Sequence, residues 1–232
     1  MGAVAVSPGR DSPLSLRSWL RDVVSAVAIT ISPPPFPKNL PLGDGRTVLL
    51  IPGFLTGDWS MTRLAAFLRG LGYNVVLPAV VLNLGTTTKS LAKLDALFFE
   101  ISARGQIRIV GQVLGGVFAR RLAQRYPERI SGIVTLCTPI RFPVITPLEP
   151  FVRMVSPLHD KSWVERRDEI ARPLSVPVTA IYSEHDGIVD WRQCLDEATS
   201  CENIRIDGPH TTMGSLTQAQ IAIANALARS VA

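Results

Sequence analysis

The sequence predicts an α/β domain: a mostly parallel sheet of about six strands, covered by helices on both faces. Three observations carry this expectation. From residue 46 onward, short β-branched runs alternate with longer stretches of helical periodicity, the pattern of parallel strands joined by crossover helices. One of those runs, Ile107 to Val110, passes directly into the glycine-rich turn Gly111-Gln112-Val113-Leu114-Gly115-Gly116 and then into a helix containing Phe118, Leu122 and Tyr126. The chain has 232 residues, 47% of them apolar, enough for one sizeable core without disulfides or metals.

The elements follow in order. Residues 1–45 hold an amphipathic helix, about Leu14 to Ala28, and a stiff extended connector made by Pro33, Pro34, Pro35, Pro37 and Pro41. The helix reads as a strap over the sheet. Residues 46–232 form the α/β domain, with strands expected at Thr47 to Ile51, Asn74 to Leu77, Ile107 to Val110, Ile130 to Cys137, Val178 to Tyr182 and Asn203 to Ile206. Leu91, Leu94, Phe98 and Ile101 recur at helical spacing, as do Ile221, Ala224 and Leu227, and both stripes read as core. The segment from Pro139 to Pro173 is too long for a plain crossover loop. Its apolar residues, among them Phe142, Val144, Ile145, Leu148, Phe151, Val152 and Met154, suit a lid over a greasy pocket.

Composition excludes several function classes. Lys and Arg number 24 against 19 Asp and Glu, and the basic residues are scattered without aromatic interleaving, which is a solvated surface and no nucleic-acid site. No apolar run approaches the roughly 20 residues of a membrane-spanning helix, so stable membrane insertion is not expected. The opening residues lack the order of a secretory signal, and Val6 stands where an N-myristoylation site needs Ser or Thr, so a cytoplasmic location is expected. Cys137, Cys194 and Cys201 have no metal-ligand spacing and are odd in number, which reads as reduced thiols. No metal, nucleotide or flavin motif appears, so no cofactor is expected.

The chemistry concentrates at the glycine-rich turn. Glycines two before and two after Val113 meet the needs of a sharp strand-to-helix turn, where side chains would strike the neighbouring backbone. With the strand before and the helix after, this region resembles the nucleophile elbow of the α/β-hydrolase fold, and lipase- and esterase-like members in particular. Ile51-Pro52-Gly53-Phe54 resembles the family's oxyanion loop, and Leu136-Cys137-Thr138-Pro139 a later strand end; the resemblance covers about residues 46 to 230.

That resemblance implies a three-layer fold with a small lid, and it assigns roles residue by residue. Asp186, in Tyr182-Ser183-Glu184-His185-Asp186-Gly187, takes the acid's place, with Asp190 the alternative. His210, after the last strand, takes the base's place. Backbone N–H groups of Phe54 and Leu114 take the oxyanion hole; Phe142, Ile145 and Phe151, read from the apolar lid segment itself, are expected to line the pocket. His159 and His185 read as solvent-exposed. The nucleophile's own position holds Val113, which has neither a proton nor a lone pair to attack with. Cys137 is expected to back the sheet edge, and Thr56 and Ser60 have no evident base, so none replaces a serine.

The expected function is therefore a lipase- or esterase-like scaffold with ester hydrolysis absent or near background, binding a small apolar or ester-like ligand. Three alternatives stay open: a carboxylic-ester hydrolase in which serine was deliberately replaced by valine, a non-hydrolytic enzyme using His210 and Asp186 as a general-base pair, and a purely interaction-based role through the N-terminal helix and Pro-rich strap. The backbone at residue 113 bears on this. A family elbow holds its central residue at positive φ, which costs a β-branched side chain about 1–3 kcal/mol, so a relaxed, negative φ would mark an elbow no longer built for a serine.

Overall fold

The computed structural model describes Leu14 and residues 16–229; the Met1-Gly2 start and Val6 lie outside the described residues. Among the described residues, six strands form one sheet in the order β2-β1-β3-β4-β5-β6, and every neighbouring pair is parallel. They are β1 (Thr47–Ile51), β2 (Asn74–Val76), β3 (Ile107–Gln112), β4 (Ile130–Leu136), β5 (Val178–Tyr182) and β6 (Cys201–Arg205). Four of the six strands differ from the sequence expectation by one or two residues at an end, as element boundaries commonly do. The N-terminal helix, α1 (Leu16–Ile31), begins and ends later than expected.

The strands alternate their side chains between two cores, as a sheet covered on both faces requires. Val48 and Leu50 of β1, with Val110, Val134, Leu136 and Ile181, pack against α2 (Thr62–Gly70) and α7 (Thr217–Ala228). Leu49, Ile51, Ile107, Ile109 and Ile133 pack on the opposite face against α3 (Thr88–Ile101) and α4 (Leu114–Arg125). The α3 stripe buries Leu91, Leu94 and Phe98, while Ile101 at its end and Ile221 on α7 are half-buried.

The chain runs from β1 to β2 on one side and then crosses to β3 on the other, so the strand order reverses at β1. Crevices at such a reversal, outside the carboxyl ends of the strands, are where open α/β sheets receive ligands. The turns after β1 and β3 meet there. Residues 139–173 lie between β4 and β5 and carry α5 (Glu149–Val155) and α6 (Lys161–Arg166). This segment is stitched to the loop before α3: Asp160 N–H donates to the Thr86 carbonyl at 2.8 Å, and Thr88 Oγ1 donates to Asp160 Oδ2 at 2.6 Å.

Candidate active site

The turn after β3 is a sharp elbow. Val113 N–H still donates to the Leu136 carbonyl at 2.8 Å, while the Val113 carbonyl already accepts from Gly116 and Val117 at the start of α4. Between these two attachments the backbone of Val113 is held at φ 51° and ψ −113°. The elbow has not relaxed, although the residue is β-branched. Gly115 is what lets the turn close, because a methyl group on it would collide with the Ile51 carbonyl at the end of β1.

Asp186 and His210 meet as the sequence order implied. His210 Nδ1 lies 2.6 Å from Asp186 Oδ2, and both residues are buried. The other carboxylate oxygen, Oδ1, accepts the N–H groups of Ile188 and Val189 at 2.8 and 2.9 Å. Burial alone would raise the Asp186 pKa, but His210 and these N–H groups outweigh it and hold the carboxyl below its ordinary value. Burial likewise pulls His210 down, yet Asp186 and Asp22 more than offset it, and the imidazole ends above its ordinary value. An ionised carboxylate only accepts, so Nδ1 carries the proton and Nε2 is left for the cavity that His210 lines.

Asp190 stands apart from the pair: its side chain accepts from Arg192 N–H at the start of a short 3₁₀ turn. Cys137 is not at the sheet edge as expected. It is fully buried at φ 46°, and its sulfur, a carboxylate oxygen of Asp186 and a ring nitrogen of His210 all lie within 4.8 Å of one another. The strand end curls inward, and the thiol faces the pair. Burial foremost, then Asp186, raises its pKa well above the ordinary thiol value, so it is a neutral neighbour. In this trio Asp186 accepts from His210 and from two backbone N–H groups.

Thr56 and Ser60 spend their hydroxyls locally, donating to the Gly53 and Gly57 carbonyls. His185 is exposed, as expected, and pairs with Asp207. His159 is not solvent-exposed: it is half-buried, lines the cavity and packs its ring on Gly85, where burial lowers its pKa.

The cavity over the elbow measures about 510 Å³ and is lined by Phe54, Val113, Leu114, Phe142, Val152 and His210, among others. Phe54 and Leu114 thus reach the same space. Leu114 opens α4, so its N–H has no partner within the helix. The segment between β4 and β5 supplies Phe142, Val144, Leu148 and Val152, but Ile145 and Phe151 do not line the cavity; they are 53% and 52% exposed. The helical repeat explains Phe151: Leu148, Glu149, Val152 and Arg153 occupy one arc of the α5 turn and line the cavity, and Phe151 falls outside that arc. Two residues at the site escaped the sequence reading. Gln112 donates from Nε2 to the His210 and Thr211 carbonyls at 3.1 and 2.8 Å, and Asp22 accepts the His210 N–H.

No protein-family model and no curated sequence matches the chain. Solved structures do. A monoacylglycerol lipase from Paleococcus ferrophilus is similar at 16% identity, covering 82% of this chain and 96% of that one, with a TM-score of 0.58. An α/β superfamily hydrolase from Oenococcus oeni is similar at 13% identity, covering 81% and 95%, with a TM-score of 0.60. Tomato methylketone synthase I, complexed with 2-tridecanone, is similar at 16% identity, covering 79% and 99%, with a TM-score of 0.54. At these identities the likeness is one of architecture, and it agrees with the all-parallel sheet and the two helical layers: the chain has the α/β-hydrolase fold.

Proposed function

We propose that this protein binds an apolar ligand with a carbonyl or ester group in the cavity above Val113 and does not hydrolyse it by a covalent route. The observation that carries the reading is an open, mostly apolar cavity whose floor has an elbow backbone in position and an alkyl side chain where attack would start. Phe54 and Leu114 N–H groups would hold the ligand's carbonyl oxygen. The 2-tridecanone in a structure of the same fold supports an alkyl ketone as probe. Titration calorimetry with 2-tridecanone and methyl decanoate should give saturable binding. Val152→Trp, which fills the cavity from the lid, should weaken it at least about tenfold with the melting temperature held. Absence of saturable binding by either probe refutes the reading, as does p-nitrophenyl ester hydrolysis that His210→Ala abolishes.

A second reading is favoured by the intact His210–Asp186 pair, which a passive binder does not need. His210 Nε2 would take a proton from carbon beside the bound carbonyl, the electron pair moving onto an oxygen held by the two N–H groups. Solvent deuterium entering 2-tridecanone next to its carbonyl, and not in His210→Ala, would establish it; no exchange in the unaltered protein excludes it.

A further inference from the structure

The helix α1 is turned inside out. Leu20, Val23, Val24, Val27 and Ile31 are exposed, whereas Asp22, a carboxylate, is 3% exposed and points into the fold. Burying an unpaired carboxylate is costly, so its partner identifies its use. Both Asp22 oxygens lie 2.9 Å from the backbone nitrogen of His210, 188 residues away. On the other side of the same residue, Gln112 donates to the His210 carbonyl. The backbone of His210 is therefore clamped at its N–H by α1 and at its C=O by the strand that leads into the elbow.

The rest of α1 docks on the acid loop. Arg21 donates from its guanidinium to the His185 carbonyl at 2.9 Å. Gly187, next to Asp186, packs so closely on α1 that a methyl group there would stand 2.6 Å from the Ser18 carbonyl oxygen. Trp19 packs against the cluster of Ile188, Val189 and Cys194, which also receives Val144 and Leu148 from the lid. One helix thus touches the acid loop, the base loop and the lid-side cluster, yet it contributes nothing to the lining of the cavity.

From this geometry we infer that Asp22 is a positioning residue for His210 and that α1 serves to deliver it. Its charge adds to that of Asp186 behind the imidazole, while the neutral Cys137 thiol and Gln112 complete the surroundings; Arg21 is the cation beside Asp22 on its own helix. The inference rests on His210 being the working group of the proposed site, but its test does not require a ligand.

The test is an NMR pH titration of the His210 ring, with hydrogen exchange of the His210 amide, in Asp22→Asn and Asp22→Ala. Asp22→Asn keeps an acceptor without the charge: the ring's midpoint should fall by about one unit while the amide stays protected. Asp22→Ala should lower the midpoint and speed amide exchange by about tenfold or more, as expected for loss of a charge-assisted hydrogen bond. Val24→Ser, on the exposed face of the same helix, should change neither. If Asp22→Ala does not fold, Asp22→Asn alone decides. A lowered melting temperature with an unchanged His210 midpoint overturns the inference and makes Asp22 a purely structural anchor. Neither readout depends on 2-tridecanone binding, so failure of the proposed function is distinguishable from failure of this inference.

Discussion

Restoring a hydroxyl at residue 113 perturbs the elbow in two ways that the structure lets us separate. Val113 sits at φ 51°, ψ −113°, a region that costs a β-branched residue on the order of 1–3 kcal/mol. Val113→Ser removes the branch and recovers part of that strain. It also removes apolar surface worth about 0.8 kcal/mol per fully buried methylene, discounted here because Val113 is half-buried at the cavity wall. The two effects nearly cancel, so urea unfolding should place Val113→Ser within about 1 kcal/mol of the unaltered protein. Activity should not cancel. With His210 on the same cavity and Asp186 holding its Nδ1 proton, a serine at this elbow is predicted to find its base in His210, and p-nitrophenyl ester hydrolysis should rise at least about 10³-fold above Val113→Ala. That is well inside the roughly millionfold scale on which a catalytic serine operates elsewhere. The alanine control keeps a Cβ without the hydroxyl. Equal hydrolysis by the serine and alanine variants, both folded, would refute the idea that this elbow presents its side chain to His210.

Other outcomes follow from the same geometry. Asp186→Asn should destabilise by about 3–5 kcal/mol near pH 5.5, because it strips a buried ionic partner from His210. The sign of its pH dependence is fixed by the two shifts. The raised His210 pKa gives stability that is full below 6.5 and lost as pH rises through the folded value, and the lowered Asp186 pKa gives stability present above 3.8 and lost as pH falls through the folded value. The variant's deficit in urea unfolding should therefore be largest between those limits and shrink at about pH 9; a deficit that grows with pH contradicts the assignment. Arg120→Ala should cost about 3–5 kcal/mol by leaving Asp196 buried without its cation, measured by the same unfolding curves.

Local patterns made much of the fold legible. Alternation within β1 separates Val48 and Leu50 from Leu49 and Ile51 because a strand's side chains repeat every two residues, and the 3.6-residue repeat marks α3 through Leu91, Leu94 and Phe98. The elbow was readable because its glycines, strand and helix are contiguous, whereas Asp186 and His210 were singled out by the family resemblance and not by any local periodicity. The segment 139–173 was legible as a length of chain but not as a surface: Ile145 and Phe151 are as apolar as Leu148 and Val152, and only the folded path of the segment decides which reach the cavity.

The sequence by itself therefore determined the order of elements and the turn around Val113, since these depend on neighbours in the chain. Only the tertiary structure decided that the elbow keeps its positive φ, that Cys137 turns to the Asp186–His210 pair and that Asp22 closes on His210. Those facts join segments separated by tens to nearly two hundred residues. Such segments share no periodicity, and their contacts are fixed only when the sheet, the helices and the strap pack together.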